Sequence, residues 1–181
     1  VLGYMLAFAR RQPWMDKAMK SGEWQKIPGF TLNEKTLGII GIGNIGKAVT
    51  RRAKAFGMKI YGTDIAEVDH VFISESGIEM TTLDILLSKS DFVSINCDLN
   101  PTSEHLINPI TLGQMKNSAV LINTARGPIV DEKALIAALQ AGKLGGAAMD
   151  VFEYEPLPED SPLKEMDNVM LAPHNANSSP A

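Results

Sequence analysis

The chain has 181 residues, 45% hydrophobic and 21% charged, with a formal net charge of −4. That suits one folded domain with a sizeable core, and it offers no basic footprint for nucleic acid. The single cysteine, Cys97, excludes an internal disulfide framework and fits a reducing, cytoplasmic compartment.

Val1 to Gln12 reads as a helix with apolar residues on several sides, one that packs against more than a single sheet face. Its apolar start is halted by Arg10 and Arg11 and is too short to cross a bilayer, so neither a secretory leader nor a membrane anchor is expected. Opening on Val1 in helical texture and closing on Asn177-Ser178-Ser179-Pro180-Ala181, the chain reads as a piece of a longer protein. Pro13 to Phe30 reads as a helical turn and an arm, with Trp24 as a packing anchor.

A short apolar strand follows, Lys35 to Ile40, and then Gly41-Ile42-Gly43-Asn44-Ile45-Gly46. A helix-forming run, Lys47 to Phe56, closes at Gly57; a second strand, Met58 to Tyr61, ends near Asp64. Strand, G-x-G-x-x-G, helix, strand and acid together form the dinucleotide-binding fingerprint. Gly41 permits the tight turn, Gly43 lets the backbone approach a pyrophosphate, and Gly46 lets the helix pack close to the sheet. The free N–H groups around Asn44 and Ile45 face the phosphates. Asp64 accepts ribose hydroxyls and repels a 2′-phosphate, and Ile65-Ala66-Glu67 supplies no cation for such a phosphate, so NAD is expected rather than NADP.

Alternation continues beyond this unit. Strands are read at Ile78–Met80, Asp91–Asn96, Ala119–Asn123, Gly145–Met149 and Val169–Leu171. Helices are read at Leu83–Lys89, at Pro109–Met115 with Asn108 as cap, and at Glu132–Ala141 between the Asp131 cap and Gly142. His70 and His105 fall in loop-like contexts as structural or solvated residues. The pattern predicts an α/β fold, a doubly wound parallel sheet of Rossmann type with helices on both faces. Ligands of such sheets bind beyond the carboxyl ends of the strands. The residues there are Asp64, Asn96 to Thr102, Asn123 to Gly127, Asp150 to Pro156, and Pro173-His174.

Four segments, in order along nearly the whole chain, resemble the D-isomer-specific 2-hydroxyacid dehydrogenases. They are Gly41 to Gly46, Ile122-Asn123-Thr124-Ala125-Arg126-Gly127, Ala148 to Pro156 (Ala-Met-Asp-Val-Phe-Glu-Tyr-Glu-Pro), and Ala172-Pro173-His174. The resemblance covers the nucleotide-binding domain, residues 1–181, and leaves the family's split substrate domain outside the chain. Its texture is most like phosphoglycerate dehydrogenases.

The resemblance implies hydride transfer between NAD(H) and a small D-2-hydroxy or 2-keto acid, with 3-phosphoglycerate first and glyoxylate or hydroxypyruvate next. Arg126 would hold the substrate carboxylate, a task for which a guanidinium is suited by its fork of donors and permanent charge. His174 would exchange the hydroxyl proton, and Glu155 would pair with it, favouring the imidazolium. Asp150 and the carbonyl of Thr124 would hold the nicotinamide carboxamide. Cys97 to Thr102 would wall the adenine side, with Thr102 near the pyrophosphate and Cys97 as packing rather than nucleophile. No metal site is expected. The opening helix and the arm from Ser21 to Phe30 resemble a region through which such domains form homodimers. Where relatives follow the His with a Gly-rich, Thr-containing stretch, this chain has Asn175-Ala176-Asn177-Ser178-Ser179, which leaves substrate identity open. Two other readings are an NAD-sensing interaction module like the corepressors of this fold, and a formate-dehydrogenase-like oxidase. Arg126, Glu155 and His174 together speak against the first, and Glu155 in place of an amide speaks against the second.

Overall fold

The computed structural model describes residues 1–176. Seven strands, β1 (Thr36–Ile40), β2 (Lys59–Thr63), β3 (Glu79–Met80), β4 (Phe92–Ile95), β5 (Val120–Asn123), β6 (Gly146–Met149) and β7 (Val169–Leu171), form one sheet in the order β3-β2-β1-β4-β5-β6-β7. Every pairing is parallel. The chain winds outward from β1 to β3 and then returns to lay β4 on the other side of β1. The strand order therefore reverses between β1 and β4, where open α/β sheets bind ligands.

Alternate strand residues feed two cores, and both are sealed, which is why the strands read as continuous apolar runs. Leu37, Ile39, Ile60, Phe92, Val120 and Ile122 bury against Met5 and Phe8 of α1 (Leu2–Arg10), Val49 and Ala53 of α3 (Asn44–Ala55), and Phe72 of α4 (His70–Ser76). Ile40, Val93, Ile95, Leu121 and Met149 bury against α5 (Leu83–Lys89), α6 (Pro109–Gln114) and α7 (Glu132–Gln140).

The opening helix is shorter than the expected Val1 to Gln12, and the helical turn expected after it is a full second helix. Pro13, with no N–H and a ring that clashes with the preceding turn, cannot continue a helix but suits a first turn. Arg11 takes the left-handed conformation (φ 54°), α1 ends, and α2 (Gln12–Lys20) begins. Trp24 does not anchor packing; it is 86% exposed, while the arm returns to the domain at Phe30, whose N–H donates to the Ala9 carbonyl. Trp14 packs instead, its ring 5.2 Å from that of Phe8 and its indole N–H donating to the carbonyl of Asp167. His70 is not in a loop but opens α4, capped by the Asp69 carboxylate on the Val71 N–H. Among the described residues no helix is long and apolar enough to cross a membrane.

Candidate functional site

The site follows from how β1 ends. Gly41 leaves the strand at φ +92°, and a Cβ there would lie 2.6 Å from the Cys97 nitrogen and 2.8 Å from the Asn96 carbonyl carbon. Only glycine lets the ends of β1 and β4 touch at the point where the sheet order reverses. At Gly46 a Cβ would strike the Gly41 carbonyl oxygen, so α3 starts tight against the turn. At Gly43 a Cβ would meet nothing within 4 Å, so this side of the turn is open. Gly43 caps α3 without a side-chain bond, and Asn44 and Ile45 are exposed. The uncapped first-turn N–H groups, at the positive end of the helix dipole, suit a diphosphate.

Asp64 closes the turn from β2. Its Oδ2 accepts the Ile42 N–H at 2.6 Å, and its Oδ1 accepts the Ala66 N–H at 2.9 Å. The acid thus shapes the glycine turn as well as lining a cleft of about 170 Å³ with Gly41, Ile65, Cys97, Asn100, Thr102 and Leu106, among others. Thr102 is exposed and bonds back to Asn100, whose Oδ1 accepts both its N–H and its hydroxyl. Burial pushes the Cys97 thiol up, and the charges of Asp64 and Asp98 add to that, so the sulfur is no nucleophile at neutral pH. The open face at Gly43, the free N–H groups and this cleft lie together at the switch point.

The second half of the site lies at the ends of β5, β6 and β7. Fully buried Asn123 donates to the Arg126 carbonyl at 2.9 Å and accepts the Ala125 N–H at 3.0 Å, folding Thr124 to Arg126 into a tight turn. Asn123 stands among the strand-end residues named from sequence, where an amide ends an apolar strand; its part in shaping this turn is visible only in the structure. The Arg126 side chain is exposed and donates to the Ala125 carbonyl at 2.7 Å. A Cβ on Gly127 would overlap the Phe152 carbonyl, so glycine alone lets this turn touch the loop after β6.

Asp150 is 2% exposed and is paid back for its desolvation by two backbone donors, Asn175 N–H at 2.9 Å and Ala176 N–H at 2.8 Å. Its carbonyl accepts the His174 N–H at 2.8 Å. His174 itself takes the left-handed conformation (φ 52°), a backbone strain held by those bonds. Its Nδ1 lies 2.7 Å from Glu155 Oε2, while Glu155 Oε1 accepts the Phe152 N–H at 3.0 Å. Partial burial pushes the Glu155 carboxyl up. The bond from His174, the Phe152 N–H and the charges of His174 and Arg126 outweigh that and hold it below its usual value. An ionised Glu155 can only accept, so His174 carries its proton on Nδ1. Arg126 and His174 therefore stand at the same end of the sheet, with Glu155 in the field of both. Beside the pair opens a cleft of about 580 Å³, walled mainly by Phe152, Pro156, Leu157, Leu171 and Pro173. Asn177, Ser178 and Ser179, expected to border the substrate, lie outside the described residues.

His105, read as structural or solvated, makes a second histidine–carboxylate pair, its Nε2 2.5 Å from Glu153 Oε1. Among the described residues no group of three or more His, Cys, Asp or Glu could hold a metal ion.

The family model described as D-isomer specific 2-hydroxyacid dehydrogenase, NAD binding domain, matches residues 2–176. The chain is 46% identical to a glyoxylate reductase of Thermofilum pendens, with 98% of this chain and 54% of that protein aligned. It is 42% identical to a D-3-phosphoglycerate dehydrogenase of Methanocaldococcus jannaschii, with 98% of this chain and 34% of that protein aligned. A crystal structure of a glyoxylate reductase from Paecilomyes thermophila superposes with a TM-score of 0.88 at 37% identity, over 98% of this chain and 54% of that one. The chain thus spans about half the length, or less, of these relatives. With its parallel sheet, glycine turn and open helix start, it belongs to the NAD-binding domain family of the D-isomer-specific 2-hydroxyacid dehydrogenases.

Proposed function

We propose that this chain is the nucleotide-binding part of a longer, NAD-dependent dehydrogenase interconverting a small D-2-hydroxy acid and its 2-keto acid. The observation that carries this reading is the Glu155–His174 pair, 2.7 Å apart, at the same sheet end as the exposed Arg126. NADH, when bound, would supply the hydride for reduction at the 2-carbon. The chain's own residues do the rest. Arg126 holds the carboxylate and polarises the carbonyl. Glu155 holds the Nδ1 proton of His174 and favours the imidazolium, whose Nε2 proton passes to the forming hydroxyl in reduction; the neutral ring left behind takes that proton back at Nε2 in oxidation. Gly41, Gly43, Asn44, Ile45 and Gly46 would seat the pyrophosphate with Thr102 near it, and Asp64 and Cys97 would wall the adenosine side. Thr124 and Asp150 orient the nicotinamide amide, with Asp150 also fastening the His174 loop.

For the substrate, the 46% identity to a glyoxylate reductase favours glyoxylate, and 3-phosphoglycerate follows on the 42% identity to a phosphoglycerate dehydrogenase. A homodimer through α1 and the arm accords with Trp24 being 86% exposed. A cytoplasmic setting accords with the lone thiol of Cys97.

The test is NADH oxidation by the intact protein with glyoxylate and, separately, with the keto acid of 3-phosphoglycerate. His174→Ala is expected to lower turnover by about 10²–10⁴-fold while NADH still binds. Full turnover in His174→Ala, or NADH binding by a wild type that reduces neither these two acids nor any of a panel of small 2-keto acids, would sink the catalytic reading and leave a cofactor-sensing role.

A further inference from the structure

His105 and Glu153 have no task in the catalytic scheme, yet they lie where three loops of the site meet. The β4–α6 loop, residues 96–108, walls the cleft beside Asp64 through Cys97, Asn100 and Thr102. The β5–α7 turn carries Arg126. The loop after β6 carries Glu155. His105 touches the second of these through its backbone, its N–H donating to the Pro128 carbonyl at 2.8 Å. It touches the third through its ring, 2.5 Å from Glu153. Among the described residues this is the only side-chain hydrogen bond joining the β4–α6 loop to the loop after β6.

Each end of the pair is itself fixed. The His105 carbonyl accepts from Asn108, the residue that caps α6. Ile107, two residues on, bridges to Val130. The Glu153 N–H donates to Glu132 at the start of α7, 3.3 Å away, and the Glu153 side chain is only 18% exposed. His105 holds φ 47°, a conformation a histidine adopts at a cost and keeps only where its surroundings dictate it. In the four residues Phe152 to Glu155, Glu153 reaches to His105 and Glu155 to His174, with the Phe152 N–H accepted by Glu155. One short loop thus carries two histidine–carboxylate pairs, one aimed at the cofactor side and one at the proton-transfer side.

We propose that the His105–Glu153 pair is a positioning clamp that locks the cofactor-side loop to the loop bearing Glu155, so that cofactor affinity and proton transfer both depend on it. It rests on the catalytic reading only for its second half. His105 touches neither reacting atoms nor cofactor in this scheme; it acts through Glu153. A charge-assisted, half-buried bond between two loops is worth about tenfold in the population of the aligned state.

The experiment is a double-mutant cycle on the intact protein with His105→Ala, Glu153→Ala and both together, plus His105→Gln, which retains a donor at this position. NADH affinity is read by fluorescence titration and kcat by NADH oxidation at saturating cofactor. Each single variant is expected to weaken NADH binding and to lower kcat by about tenfold, with the double variant no worse than either. His105→Gln is expected to recover most of both, which a residue serving only the fold would not do selectively at unchanged melting temperature. Wild-type affinity and kcat in His105→Ala, or additive effects in the cycle, would overturn the clamp. A wild type that binds NADH but turns nothing over would overturn the catalytic reading, and the affinity cycle would still decide the clamp.

Discussion

Replacing Asp150 with Asn tests the argument that a buried acid holds the His174 loop. The wild-type carboxylate accepts two N–H groups, from Asn175 and Ala176, at 2.9 and 2.8 Å. Asn retains one acceptor oxygen and turns an NH₂ toward the other donor, so one charge-assisted bond is lost and two donors face each other. A hydrogen bond to a charged group is worth about 1.5–3 kcal/mol. Asn175 and Ala176 are exposed, so water can reach the freed N–H and the effect should fall near the lower end. At about 2–4 °C per kcal/mol for a chain of this size, the melting temperature should drop by roughly 3–6 °C. Calorimetry of the 181-residue chain reads that drop, and hydrogen exchange reads lost protection at the amides of 175 and 176. A melting temperature within about 1 °C of wild type, with both amides still protected, would show that the loop is held by something else.

The Glu155 carboxyl lies below its usual value when folded, so on acidification the unfolded chain takes up this proton first and the folded state loses ground. Wild type should lose this share of stability as pH falls from the ordinary carboxylate range through the depressed value, and Glu155→Gln should lack it. Urea unfolding between about pH 7 and 3 should show the two stability curves converging toward acid; parallel curves would contradict the assignment. Gly127→Ala places a Cβ on the Phe152 carbonyl, and both partners are backbone, so neither can rotate aside. The urea midpoint should fall by the equivalent of about 1–3 kcal/mol at unchanged slope, and an unaltered midpoint would mean that the two loops do not touch.

Local chemistry was legible and long-range pairing was not. The unit from β1 to Asp64 could be read because each of its parts is specified by neighbours in sequence: glycines for the turn, apolar runs for the strands, an acid at the next strand's end. The Asn108 and Asp131 caps were readable for the same reason. The same signals, Asp69 as cap and Gly77 in the left-handed position, also mark α4, which was passed over. What lay beyond local reading was partner choice across the chain. Trp14 and Trp24 look alike as anchors, and only the return of the chain past Asp167 gives Trp14 its acceptor. His105 and Glu153 are far apart in sequence, and neither carries a mark of the other. Glu153 and Glu155 differ by two positions, and geometry alone sends them to different histidines.

The acids at the carboxyl end of this sheet share one habit, and it bears on how an acidic chain receives an anionic ligand. Asp64 spends its oxygens on Ile42 and Ala66, Asp150 on Asn175 and Ala176, and Glu155 on Phe152 and His174. Each carboxylate ties its own loop to a neighbouring one: Asp64 to the turn after β1, and Asp150 and Glu155 to the segment after β7. The Arg126 guanidinium makes only the bond to the Ala125 carbonyl, a neutral group, among the described residues. These three carboxylates are thus engaged locally, while the Arg126 charge and the uncapped start of α3 are left facing outward. A net charge of −4 over the whole chain therefore does not forbid a site that attracts a diphosphate at one end and a carboxylate at the other, because the sign of the local field is set by which charges are already paired.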